Sequence, residues 1–267
     1  MKNKILNRFT LLGAAFNGEV PFYYAILSMI PYAIFKYFLY GKFGEMTGLV
    51  DILDWEGQSL NYEIMVKDQY HAKKFLREDS IIFDAGANWG IFSKLAATLS
   101  PKGAVYSFEP APASFEKLRK QSEKFPNIHP FHSALGKGNA EGNILVLYPA
   151  DAGGNRMADS PMGPMKGAVS TPVAITSIDE TVKKKNIQHV DFIKIDTEGY
   201  ERNILEGARE TIKKWGPVIS MSAYHLPTDK DELPKLIRSI RPDYICELHQ
   251  DVEEDFVCYV KGSEPRA

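Results

Sequence analysis

Cysteine is almost absent from this chain: 267 residues contain only Cys246 and Cys258. Two thiols can neither staple a small secreted fold nor fill a zinc cluster. With no activating neighbour in sequence, they read as buried structural thiols on adjacent strands, in keeping with a reducing cytoplasm. An excess of one charge is lacking too, since 32 Lys and Arg against 34 Asp and Glu leave a net charge of −2. That balance excludes a broad basic field for gripping nucleic-acid phosphates. Internal repeats, low-complexity tracts and a secretory leader pattern are absent as well. A clean membrane span is missing: Val20–Tyr40 has the ~20-residue length of one, but it holds five tyrosines, Pro21, Pro31 and Lys36. Two readings of that segment stand. It forms short helices covering the domain or lining its entrance, or it lies at a membrane interface with Lys2, Lys4, Arg8, Lys36 and Lys42 near head groups.

What is present, 44% apolar and 25% charged residues, is the make-up of a globular protein with a sizeable core. The chain reads as a helical, amphiphilic segment over 1–78 followed by an α/β domain over 79–267. Short β-branched runs alternate there with amphipathic stretches, the pattern of a mostly parallel sheet. Strands are expected at Ser80–Asp84, Ala104–Glu109, Ile128–Leu135, Val173–Thr176, Asp191–Asp196 and Val218–Ala223, with a terminal hairpin of Tyr244–His249 and Asp255–Val260. Helices are expected at Ile91–Leu99, Ala113–Lys124, Tyr200–Lys214 (with a kink or close approach at Gly207) and Asp231–Ile240. Ser177 and Glu180 form a capping box that opens another helix. Gly136–Thr171 reads as a long loop holding one strand-like run, Ile144–Tyr148.

The chemistry starts at the first turn. A strand ending in Asp84, then Gly86, Asn88 and Gly90, then a helix, is a nucleotide-type turn: glycines allow close backbone approach, and a helix N-terminus offers free N–H groups. The dinucleotide fingerprint G-x-G-x-x-G is not met, because Asn88 and Ile91 stand at its second and third glycine places. Asp84 would repel a phosphate and favour an ammonium group, such as the amino-acid end of S-adenosylmethionine. Glu109, closing the second strand 19 residues beyond Gly90, can accept both hydroxyl hydrogens of a ribose. Ser133 and Ala134 stand where an adenine edge would lie.

With these residues and a further segment, Asp191-Phe192-Ile193-Lys194-Ile195-Asp196-Thr197-Glu198-Gly199-Tyr200-Glu201, the sequence resembles the FkbM-type methyltransferases. Phe108-Glu109-Pro110, Ile175-Thr176-Ser177-Ile178-Asp179, Leu205-Glu206-Gly207-Ala208, Ser222-Ala223-Tyr224-His225 and Glu247-Leu248-His249 add to the likeness, which runs from about Ser80 onward. The resemblance implies a class I methyltransferase fold, Rossmann-like, with a seven-stranded, mostly parallel sheet carrying one antiparallel strand. It also implies S-adenosylmethionine as cofactor and methyl transfer to a hydroxyl oxygen of a sugar, lipid-linked or small natural-product acceptor.

Such a reaction needs in-line positioning and gains from a general base. Asp196, Glu198 and His225 are the candidates, standing at strand ends where open α/β sheets bind ligands. Glu201 reads as a helix-dipole partner. Tyr224 and Arg156 are expected at the acceptor, Arg156 against a phosphate or carboxylate. No metal is expected, since the end of the fifth strand offers Ser222, Tyr224 and His225 rather than a carboxylate for Mg²⁺. Two other readings remain open: an NAD(P)-dependent oxidoreductase, which fails the glycine test, and a non-catalytic S-adenosylmethionine-binding module.

Overall fold

The computed structural model describes residues 62–147, 154–250 and 252–262. The apolar run 20–40 lies outside them, and so do both readings of it. The chain divides into two compact units, Met1–Asp68 and Gln69–Ala267. In the first, the described residues form a short π-helix, Tyr62–Val66. Among the described residues no helix is long and apolar enough to cross a membrane.

The second unit opens with α1 (Ala72–Phe75) and is built on β1 (Ile81–Ala85), α2 (Ile91–Leu99), β2 (Ala104–Phe108), α3 (Pro112–Ser122) and β3 (Ile128–Phe131). After an inserted sheet follow α4 (Ile178–Lys185), β8 (Phe192–Ile195), α5 (Glu201–Glu206), α6 (Arg209–Trp215), β9 (Val218–Ser222), α7 (Asp229–Ile240), β10 (Tyr244–His249) and β11 (Asp255–Val260). The strands form a seven-stranded sheet in the order β10-β11-β9-β8-β1-β2-β3. β11 runs antiparallel to both of its neighbours, and the strands from β9 across to β3 are parallel. This is the Rossmann-like sheet expected from the sequence.

The two-residue period of the strands sorts this sheet into an oily face and a partly polar one. Phe83, Ala85, Ile193, Ile195, Ile219 and Met221 join Ile178, Ile204, Leu205, Ile212, Leu233 and Ile237 in one buried cluster, against helices α4 to α7. On the opposite face the register lines up Ser107, Asp84, Lys194 and Ser220 across four adjacent strands. All four are buried, and Ser93 of α2 lies against the row. Lys194, Asp84, Ser93 and Ser107 satisfy one another, which offsets the cost of burying them, whereas Ser220 Oγ has no hydrogen-bond partner among the described residues.

Three sequence expectations need correction. Ile128–Leu135 is not one strand: it breaks after Phe131, and Ala134–Leu135 (β4) joins a second sheet. Gly136–Thr171 is not a long loop but supplies β5 (Ala140–Val146), β6 (Arg156–Met157) and the start of β7 (Val169–Thr176), in the order β4-β7-β5-β6. Ile144, Val146, Met157, Val173 and Tyr200 build a small core of their own there, which is what makes this polar-looking stretch fold. The thiols are not separate either. Antiparallel register sets Cys246 opposite Cys258, and the two are joined as a disulfide. A pair of free thiols is therefore no longer a sign of a reducing compartment.

Gly207 does mark a close approach: a Cβ there would overlap the carbonyl oxygen of Gly136. The expected single helix is divided at this point into α5 and α6. Asp179 caps the second piece, accepting from the N–H groups of Glu210 (3.0 Å) and Thr211 (2.9 Å). Ser177 Oγ accepts from Glu180 N at 3.1 Å, as the capping box requires.

Candidate active site

The parallel strands deliver their carboxyl ends to one edge of the sheet, and the polar side chains gather there. At the end of β1, Gly86 and Gly90 have φ of 74° and 81°, and Asn88 shares the left-handed region at 49°. The glycines answer packing needs: a Cβ on Gly86 would overlap the Asp196 carbonyl oxygen, and one on Gly90 would press on Leu118 of α3. Glu109, just past β2, is buried; its Oε2 accepts from Asn88 N and its Oε1 from Ala111 N, each at 2.8 Å. Burial pushes its carboxyl up to about 7 against those two hydrogen bonds, which favour the charged form. Each oxygen has a second lone pair with which to accept from a ligand.

Asp84 does not stand as a lone anion waiting for an ammonium group. Lys194 Nζ lies 3.2 Å from its Oδ1, and Ser93 Oγ donates to its Oδ2 at 2.6 Å. The same ammonium donates to the carbonyls of Gly86 (2.6 Å) and Ala85 (3.3 Å). Lys194 thus ties the turn from beneath. Ser133 is half-buried between β3 and β4, and the Ala134 side chain belongs to the core of the second sheet.

Asp196 follows β8 with both oxygens engaged. Tyr70 O–H donates to Oδ2 at 2.7 Å and Ser222 O–H to Oδ1 at 2.9 Å. Burial would raise its carboxyl, but Lys194, His225 and these two hydroxyls overcome it and hold it below the usual carboxylate range. Glu198, at φ 54°, accepts from Gly154 N at 3.3 Å; burial raises its carboxyl although His225 opposes.

His225 follows β9 and brings the carboxylates together. Its Nδ1 is 2.9 Å from Glu201 Oε1, and its Nε2 lies 3.7 Å from Asp196 Oδ1 and 3.8 Å from Glu198 Oε2. Apart from those two longer carboxylate contacts, that Nε2 is buried and has no hydrogen-bond partner among the described residues. Burial lowers the imidazole's proton affinity, yet Glu201, Asp196 and Glu198 outweigh it and carry its pKa up to about 9. Glu201 is 1% exposed, and its Oε1 also accepts from Thr197 N (3.0 Å), Thr197 Oγ1 (3.2 Å) and Gly199 N (3.4 Å). Sequence reasoning gave it a helix-dipole role; the tertiary structure makes it the hub of the turn. The Tyr224 ring lies 4.4 Å from that of His225, and its hydroxyl donates to Glu253 at 2.7 Å.

Arg156 holds its own loop: its Nε and Nη2 donate to the carbonyls of Gly163 and Pro164, both at 3.2 Å. Among the described residues no group of three or more His, Cys, Asp or Glu side chains is placed to hold a metal ion. Two participants escaped the sequence reading. Tyr70 precedes every stretch that carried the resemblance. Lys194 lies inside the strongest such stretch, but a lysine in mid-strand gives no sign of its partner until the register is known.

The profile of the methyltransferase FkbM domain matches residues 84–255, which contain every one of these strand-end groups except Tyr70. The chain belongs to the FkbM methyltransferase family. Among relatives, the hexuronic acid methyltransferase AglP of Haloferax volcanii is 26% identical over 184 residues, 67% of this chain and 70% of that one. The 2-O-methyltransferase NoeI of Sinorhizobium fredii is 21% identical over 155 residues, 52% and 61% of the two chains. Among solved structures, the methyltransferase FkbM of Methylobacillus flagellatus superposes with a TM-score of 0.52 at 19% identity. That match covers 78% of this chain but only about half, 54%, of the other, and it shows a shared fold.

Proposed function

We propose that this FkbM-family methyltransferase moves a methyl group from S-adenosylmethionine to a hydroxyl oxygen of a sugar, lipid-linked or small natural-product acceptor. The observation that carries the reading is the pairing of two strand-end features. Glu109 closes β2 with acceptor capacity left on both oxygens, and the buried Nε2 of His225, with no hydrogen-bond partner among the described residues, stands between Asp196 and Glu198. The first fits the paired hydroxyls of a ribose. The second fits a site where a cation is welcome and a hydroxyl proton must go. Bound S-adenosylmethionine supplies a methyl group already activated on a cationic sulfur.

The protein's own part is to bind and orient. Glu109 receives the ribose, with Asn88 and Gly90 shaping the turn beside it. Asp84 acts at one remove, through Lys194, by fixing the carbonyls of Ala85 and Gly86. Asp196 is kept ionised by Lys194, His225 and the hydroxyls of Tyr70 and Ser222, and Glu198 adds a second carboxyl beside it. Near-attack positioning of this kind is worth ~7–11 kcal/mol of barrier, and a base contributes about 10²–10⁴-fold. The relative named for 2-O-methylation supports the hydroxyl acceptor, and the one named for hexuronic acid supports a sugar as its carrier.

Calorimetry and thermal melting test the donor. S-adenosylmethionine and S-adenosylhomocysteine bind and raise the melting temperature by mass action, and NADH does neither. Labelled methyl transfer into a cell extract, followed by mass spectrometry of the product, then identifies the acceptor. Stabilisation by NADH alone would return the oxidoreductase reading. Binding of the donor without transfer to any extract would leave a binding module.

A further inference from the structure

The proposed reaction releases a proton and removes a positive charge from sulfur, and the cluster around His225 is built to accommodate both. Four features bear on which atom takes the proton. Asp196 is poorly suited: each of its oxygens already accepts a hydroxyl, and Lys194 stabilises its charge further. Glu198 is anchored by Gly154 N. His225 Nδ1 is committed to Glu201 at 2.9 Å, while its Nε2 is buried and lacks a hydrogen-bond partner among the described residues. A carboxylate on Nδ1 selects the form of the neutral ring that keeps its hydrogen there and a lone pair on Nε2.

We propose that Nε2 of His225 takes the proton of the acceptor hydroxyl, that Glu201 is the positioning residue which keeps this nitrogen available, and that the imidazole is uncharged while a sulfonium donor is bound and charged once it has become a thioether. This rests on the donor assigned above. In the step, the hydroxyl oxygen forms a bond to the methyl carbon, the carbon–sulfur bond breaks with its electron pair going to sulfur, and the hydroxyl proton passes to Nε2. One positive charge is present before, on sulfur, and one after, on the imidazolium.

The surroundings explain why the charge should be exchanged in this way. His225 faces Glu201 of α5, Asp196 after β8, Glu198 on the turn, Asp229 of α7 and the Tyr224 ring. Lys194 acts on Asp196 and Arg202 on Asp229, but the carboxylates around the ring still favour a proton on it in the free protein. A further cation brought close to the same carboxylates competes with that proton, because like charges disfavour each other's ionised forms. When the sulfur becomes neutral the competition ends and the proton is welcome again.

Histidine-selective isotope labelling and NMR titration test this without knowledge of the acceptor, with the His225 resonance assigned by His225→Gln. The expected result is titration near 9 in the free protein and in the S-adenosylhomocysteine complex, and more than about 100-fold weaker proton affinity in the S-adenosylmethionine complex, which brings the midpoint below 7. Glu201→Gln, whose amide oxygen can still accept from Thr197 and Gly199, is expected to lower the titration midpoint in all three states. Identical titrations with the two ligands overturn the proposal, and both titrations are made on the wild-type protein. An unmoved midpoint in Glu201→Gln overturns the role of Glu201. Absence of any binding by calorimetry refutes the donor assignment itself, a distinct result.

Discussion

Replacing Lys194 by Met tests whether the buried ion pair, rather than a bound ligand, is what Asp84 is for. Methionine nearly matches the lysine stem in length, so the perturbation is loss of the ammonium. In the native protein that ammonium stands 3.2 Å from Asp84 Oδ1 and donates to Gly86 O at 2.6 Å and Ala85 O at 3.3 Å. Asp84 is fully buried, and after the change its one remaining side-chain donor among the described residues is Ser93 Oγ. Breaking a buried pair by removing one partner costs about 3–5 kcal/mol, mostly the penalty of the stranded charge. For a domain of this size that lowers the melting temperature by ~10 °C.

The double variant Asp84→Asn/Lys194→Met removes the stranded carboxylate as well, while Asn can still accept from Ser93. It is therefore expected to be more stable than Lys194→Met alone, with a coupling energy above about 1 kcal/mol for two groups in contact. Urea denaturation of wild type, both single variants and the double variant measures the cycle. If Lys194→Met cost under ~1 kcal/mol, or if the two changes were additive, the reasoning that assigns Asp84 to Lys194 would be refuted.

Other outcomes follow from the same geometry. Glu109→Gln keeps one acceptor but loses the charge, and calorimetry with S-adenosylhomocysteine should show roughly 10–100-fold weaker binding, the size of one lost charge-assisted contact. Because burial raises Glu109 to about 7, wild-type binding should strengthen as pH rises through 7, and the Gln variant should lose that dependence. His225 behaves with the opposite sign. Its raised value of about 9 means a stabilisation fully present below 6.5 and lost as pH climbs through 9, of order ~3 kcal/mol. Denaturation of His225→Gln across that window should show the slope removed. Gly86→Ala places a methyl group on the Asp196 carbonyl at a positive φ, and a loss of several kcal/mol (~3 or more) in chemical denaturation is expected even with no ligand present.

Much of the architecture could be read before any coordinates were known, and for local reasons. The alternation of β-branched runs with amphipathic stretches announced the parallel sheet, and β10 and β11 fall at their expected limits. Gly207 was conspicuous because glycine inside a helix needs a reason, and the Gly136 carbonyl is that reason. The second sheet was not visible. Its strands β5, β6 and β7 each bury only a few apolar residues, and these find a core only against Tyr200 and Ala111 from distant parts of the chain.

The candidate site divides along the same line. Glu109 and Asp196 could be marked from sequence because a residue at a strand's carboxyl end occupies the ligand edge in any sheet of this class. Asp84 was marked by the same rule, but its protein partner was not visible: the strand period fixes which face it occupies, and only pairing of β1 with β8 shows that Lys194 faces it. Cys246 and Cys258 tell the same story, since antiparallel register and not spacing made them partners. Sequence by itself determined the family, the sheet and the edge at which the candidate site lies, because those depend on short-range pattern and motif. Tertiary structure alone decided which charges meet: Tyr70 with Asp196, Lys194 with Asp84, Glu201 with His225. Electrostatic and hydrogen-bond energies depend on distances of about 3–4 Å between groups that the chain brings together only by folding.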